Sequence, residues 1–182
     1  QRQMCIRDRS HNHPEAIKGA QAVAASIFIA LHWTGEIDEL KVHIRDFVTN
    51  QFEYNMNRTL NEIRPRYEFD VSCQGSVPEA IIAFLEADSY EDAIRNAVSL
   101  GGDADTQGAI AGAIAACVYP IPEYIIKECQ KRLSDDLLKV VIRFEDYLDN
   151  EWQNKISLPC SCLQPKRETV EPEKYVDIIR DN

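Results

Sequence analysis

The sequence predicts an all-α fold, a compact multi-helix bundle, and three observations carry that expectation. Apolar residues recur at helical spacing, as Ile37, Leu40, Val42, Ile44, Phe47, Val48 and Phe52 do with charges between them. Serine or aspartate start signals, often with a proline in the first turn, stand ahead of the apolar runs. No stretch alternates apolar and polar residues over the length that a strand needs.

Taken in order, residues 1–9 are basic and unperiodic and share no pattern with the rest of the chain, so they are expected to be a non-native segment joined to a truncated reading frame. Ser10-His11-Asn12-His13-Pro14-Glu15 then opens a helix to about Leu31, with Pro14 in its first turn and Glu15 suited to the positive helix end. Gly19, Ala20, Ala22, Ala24 and Ala25 allow close packing, and the scarcity of polar residues predicts burial on most faces. His11 and His13 precede that helix, where an imidazole can meet a ligand or simply serve the helix start. Glu36 to about Asn55 is an amphipathic scaffold helix. Asn57 to Asp70, with Pro65 and mixed charges, reads as an irregular connector whose Arg64 and Arg66 either serve phosphates or, more commonly for arginine, are solvated.

Ser76 with Glu79 three residues on forms a capping box, and Pro78 fits a first turn, so a helix is expected over Ala80 to Leu85. Ser89 with Asp92 repeats the signal for a helix that ends at Gly101. Gln107 to Val118, with Gly108, Gly112 and alanines nearly all round, belongs at the centre of a bundle. Tyr119-Pro120-Ile121-Pro122 interrupts the helices, Glu123 to Leu133 resumes them, and Ser134-Asp135-Asp136 caps the last long one, to about Leu148. Beyond Asn150 the chain turns polar and proline-containing, with a weak helix near Glu173 to Arg180. The expected organisation is a helical domain over 10–150 and a polar appendage over 151–182.

Composition bounds the function. A hydrophobic share of 45% with 27% charged residues is ordinary for a globular protein with a real core. The net charge of −10 argues against a nucleic-acid or anionic-membrane surface, while leaving room for a small phosphate pocket. The six cysteines show no Cys-x-x-Cys spacing, which fits reduced thiols and a cytoplasmic location. The apolar run from Ala20 to Trp33 is too short and too polar to span a bilayer.

The chemistry concentrates in Gly101-Gly102-Asp103-Ala104-Asp105-Thr106. Asp103 and Asp105 are two apart, so in a turn both carboxylates can face one spot, and Thr106 adds a neutral oxygen. Such a set suits a hard cation: Mg²⁺, Mn²⁺ or Ca²⁺. The plainer alternative is that Asp105 or Thr106 only caps the following helix. An EF-hand is excluded, because its twelfth position requires a bidentate Glu and here holds Ile114.

Two blocks, Ser10-His11-Asn12-His13-Pro14-Glu15-Ala16-Ile17-Lys18-Gly19-Ala20 and Gly101 to Thr106, resemble the ADP-ribosylglycohydrolase family, in its bacterial branch related to the dinitrogenase reductase-activating glycohydrolase. Ser76-Val77-Pro78-Glu79-Ala80 and Ile94-Arg95-Asn96-Ala97 resemble it too, and the blocks keep the family's order over about His11 to Leu148. The resemblance implies an all-α fold with a binuclear Mg²⁺ or Mn²⁺ centre that holds the distal ribose of ADP-ribose. It implies hydrolysis of the glycosidic bond to an ADP-ribosylated protein residue or small molecule. Carried over by residue, Asp103, Asp105 and Thr106 match metal ligands and His11 matches a histidine of the ADP-ribose pocket, with Gly75, Ser76 and Val77 bordering it. The family's Thr-Asp-Asp cluster is not found ahead of these blocks, and Ala104 stands where a hydroxyl residue is common. The expectation is therefore the C-terminal part of the family's domain, binding metal weakly on its own. A non-catalytic ADP-ribose-binding or helical scaffold module is the alternative.

Overall fold

A computed structural model of the chain describes residues 12–147, which contain eight helices and no strand. Residues 1–9, His11 and the 151–182 appendage lie outside the described residues. The helices are α1 (Pro14–His32), α2 (Ile37–Phe52), α3 (Leu60–Ile63), α4 (Cys73–Leu85), α5 (Tyr90–Val98), α6 (Ala104–Ala115), α7 (Glu123–Arg132) and α8 (Asp135–Tyr147). The described residues divide into two compact units, 12–31 with 35–119 and 32–34 with 120–147. The all-α expectation holds throughout the described residues.

In the larger unit α4, α5 and α6 pack on one another, and the short α3 packs on α4. The central element is α4, not the alanine helix α6. Every residue from Ser76 to Leu85 is buried, whereas Thr106, Ala109 and Ala113 of α6 are not. The branched and aromatic side chains of α4 (Val77, Ile81, Ile82, Phe84, Leu85) remove far more apolar area from water than alanine methyls can, so burial favours α4 at the centre. The first helix, α1, likewise buries one side (Ala22, Ala25, Ser26, Ile29, Ala30) and leaves Phe28 and Leu31 exposed on the other.

Two starts ahead of α5 differ from expectation. First, α4 begins at Cys73: Ser72 Oγ accepts from Gly75 N–H (3.2 Å), and Asp70 Oδ1 accepts from Ser72 N–H (2.7 Å), folding the chain into the helix. The Ser76–Glu79 capping box is thus overturned. Ser76 Oγ donates to Ser72 O (2.7 Å) from inside the helix, and Pro78 sits within it rather than in its first turn. Second, the 57–70 connector contains α3, opened by a reciprocal capping box between Thr59 and Glu62. Arg64 there donates to Ser99 Oγ (2.9 Å), Asn61 Oδ1 and Asn96 Oδ1 (both 3.1 Å), which ties the end of α3 to the end of α5.

At the far end of α4, Ala87 O accepts from Lys41 Nζ (2.7 Å) and from Tyr119 Oη (2.8 Å). A cation and a phenol there satisfy a carbonyl next to the negative helix end. Of the smaller unit, Tyr124, Ile126, Leu137, Val140, Ile142, Phe144 and Tyr147 are exposed. No helix among the described residues is long and apolar enough to cross a membrane.

Candidate functional site

The acidic stretch forms where α5 hands over to α6. Gly101 adopts φ +77, a left-handed conformation that glycine takes without a Cβ penalty, and this reverses the chain after Leu100. Asp103 O then accepts from Gln107 N–H (2.9 Å), so Asp103 is the N-cap and Asp105 and Thr106 already lie in the first turn of α6. The helix thus starts three residues earlier than the periodicity predicts. The side chain of Asp103 makes no capping hydrogen bond, whereas the Asp105 carboxylate takes the backbone N–H groups of Asp105 and Thr106 in the first turn, as the capping alternative expects of it.

The Asp103 carboxyl turns instead toward Asp105. Asp105 is held below the usual carboxylate range, first by a hydrogen bond with the Asp103 side chain and then by the backbone N–H groups of Asp105 and Thr106. Asp103 is half-buried, while Asp105 and Thr106 are exposed. The residue types, two carboxylates and a hydroxyl within four positions, fit part of a hard-cation shell, although the positive start of α6 beside them works against a cation. Among the described residues, no group of three or more His, Cys, Asp or Glu side chains gathers.

Beneath the turn lies a polar network that the sequence analysis missed. Tyr67 lays its ring against Gly102, where a Cβ would sit 2.4 Å from its Cε1. Its hydroxyl donates to Gly75 O (2.8 Å) and accepts from Gln107 Nε2 (2.7 Å). A phenol has one proton, so donation to Gly75 dictates that Gln107 presents its NH₂ group rather than its oxygen. Gln107 is fully buried, and its Oε1 has no partner among the described residues. Burial, followed by the charges of Glu79 and Asp70, pushes the Tyr67 phenol up to about 12, so it stays protonated at every physiological pH.

Close by, Glu79 is buried and receives both guanidinium nitrogens of Arg58, Nη1 to Oε1 at 2.7 Å and Nη2 to Oε2 at 3.1 Å. This fork explains the burial of a carboxylate in an otherwise apolar helix. The only sequence signs of the network are a glutamine inside an alanine helix, four residues after Asp103, and an arginine opposite no obvious acid.

Of the other expected site residues, Gly75 is half-buried on α4, and a Cβ there would collide with the Asp70 carboxylate at 1.9 Å. Ser76 and Val77 are each 5% exposed, and Val77 packs on Gly19 of α1. The structure therefore brings Gly75 to the acidic turn through Tyr67, while the side chains of Ser76 and Val77 are taken up in helix packing. His11 lies outside the described residues. Its neighbour His13 accepts from Glu15 N–H on Nδ1 (3.2 Å), which caps α1.

With this geometry in place, comparison with known proteins gives two matches. A model of the ADP-ribosylglycohydrolase family matches residues 7–155. An ADP-ribosylarginine hydrolase, Tri1, of Pseudomonas putida (strain GB-1) is 25% identical over 122 residues, covering 65% of this chain. The chain spans 33% of the length of that relative. No solved structure matches.

Proposed function

Given that the chain belongs to the ADP-ribosylglycohydrolase family, we propose that it serves hydrolysis of the glycosidic bond between ADP-ribose and a modified protein residue or small molecule, in the cytoplasm, with Mg²⁺ or Mn²⁺ held by Asp103, Asp105 and Thr106. What supports this reading is the Asp103-Ala104-Asp105-Thr106 stretch at the start of α6, inside the family-matched span, with Asp105 and Thr106 exposed and the Asp103 side chain making no cap. The arginine-directed name of the Pseudomonas putida relative favours an ADP-ribosylated arginine among the candidate substrates.

The residues act in separable ways. The carboxylates of Asp103 and Asp105 accept from, or coordinate, whatever stands at the mouth of the turn, and Thr106 Oγ1 offers a neutral lone pair beside them. When bound, the divalent ion supplies fixed positive charge that orients ribose hydroxyls and acidifies a water. Arg58 and Glu79 keep α4 rigid behind the site, so the geometry is set before ligand arrives.

Isothermal calorimetry with ADP-ribose in Mn²⁺, in chelator, and with Asp103→Ala tests the proposal, together with chromatographic release of ADP-ribose from an ADP-ribosylarginine substrate. The expected result is Mn²⁺-dependent ADP-ribose binding that falls at least about tenfold on loss of one carboxylate ligand. Binding indifferent to chelator and to Asp103→Ala would overturn the metal-dependent reading in favour of a non-catalytic ADP-ribose module.

A further inference from the structure

Tyr67 touches both halves of the candidate site yet belongs to neither. It lies on the connector after α3, its ring covers Gly102 at the head of the acidic turn, and its hydroxyl joins Gln107 in α6 to Gly75 in α4. Gln107 is the residue whose N–H closes the turn on Asp103 O, so one phenol grips the turn from the ring side and from the helix side. The Gln107 amide oxygen is buried without a partner among the described residues, which leaves the Tyr67 hydroxyl as the one side-chain anchor described for that amide.

We propose that Tyr67 is a positioning residue: it clamps the Asp103–Asp105 turn to the first turn of α4 and thereby fixes the spacing of the two carboxylates for a divalent cation. The inference rests on the metal-ligand reading of those carboxylates, but its first test does not. The three contacts are geometrically demanding. The hydrogen bonds of 2.8 and 2.7 Å leave no slack, and the ring meets backbone at Gly102 rather than a yielding side chain. A tyrosine used only as core filler needs neither a buried amide partner nor a glycine beneath it.

Tyr67→Phe keeps the ring on Gly102 and deletes only the hydroxyl links. In the metal-free full chain, amide hydrogen exchange over residues 101–107 is expected to speed up about tenfold, because a buried amide loses its partner and the turn opens more often. Ile44→Val, a core change on α2, serves as the control for general destabilisation and leaves that segment's exchange unchanged. Exchange over 101–107 equal to wild type in Tyr67→Phe, or raised as much by Ile44→Val, overturns the proposal. The second readout is Mn²⁺ affinity by electron paramagnetic resonance: Tyr67→Phe weakens it about tenfold, as expected for a support behind metal ligands, and Ile44→Val does not. Unchanged Mn²⁺ affinity in Tyr67→Phe, despite faster exchange, also overturns it. If instead wild type and Asp103→Ala take up Mn²⁺ equally, the metal reading fails by itself, and exchange still decides whether Tyr67 holds the turn.

Discussion

Replacing Gly102 by alanine probes the whole arrangement beneath the acidic turn. The added Cβ would stand 2.4 Å from Tyr67 Cε1, more than an ångström inside the roughly 3.5–4.0 Å at which two carbons rest. The ring cannot swing aside cheaply, because its hydroxyl is held at 2.8 Å by Gly75 O and at 2.7 Å by Gln107 Nε2. Moving it breaks the bond to Gly75 O, about 1 kcal/mol, and leaves the buried Gln107 amide unpaired at about 1–3 kcal/mol, so a loss of about 2–4 kcal/mol is expected. In urea unfolding, with a slope of about 2 kcal/mol/M, the midpoint falls by about 1–2 M. Gly108→Ala is the control. Gly108 lies within α6, where an added Cβ meets nothing within 4 Å. The same chemical change there should stabilise the chain by about 0.5–1 kcal/mol, through helix propensity alone. A Gly102→Ala variant within about 0.5 kcal/mol of wild type would disprove the clamp, since that is the scatter of an ordinary surface change.

Other perturbations draw on the same geometry. Glu79→Ala leaves Arg58 without its fork; because Arg58 is one-third exposed and can turn to water, the expected cost is about 2–3 kcal/mol, below that of a fully buried pair, read as a lower urea midpoint. Burial pushes the Tyr54 and Tyr67 phenols up to about 12. The folded state then holds protons that the unfolded chain releases near pH 10, so their contribution to stability is complete below about pH 10 and is lost between about pH 10 and 12. Ultraviolet titration of the folded chain at 295 nm should show two tyrosines ionising late, and both ionising near pH 10 would contradict the burial described. The Cys117 thiol is pushed up to about 11 by burial, whereas Cys129 is exposed, so brief alkylation at pH 8 and peptide mass mapping should find Cys129 labelled and Cys117 spared.

The helical class and the order of the long helices were legible in the residues alone. Those features are local: apolar spacing and start signals are written in contiguous sequence. Folding relocated what depends on competition between partners. Ser76 and Glu79 have the spacing of a capping box, but Ser72 and Asp70 capture the helix start, and Arg58, 21 residues away, captures Glu79. Burial moved the centre of the bundle from the alanine helix to α4, because area removed from water counts more than the absence of polar residues. The link from Tyr67 to Gly102, Gln107 and Gly75 left no sign in sequence beyond a lone glutamine in the alanine helix, since a phenol finds its partners only when three separate segments are folded against one another.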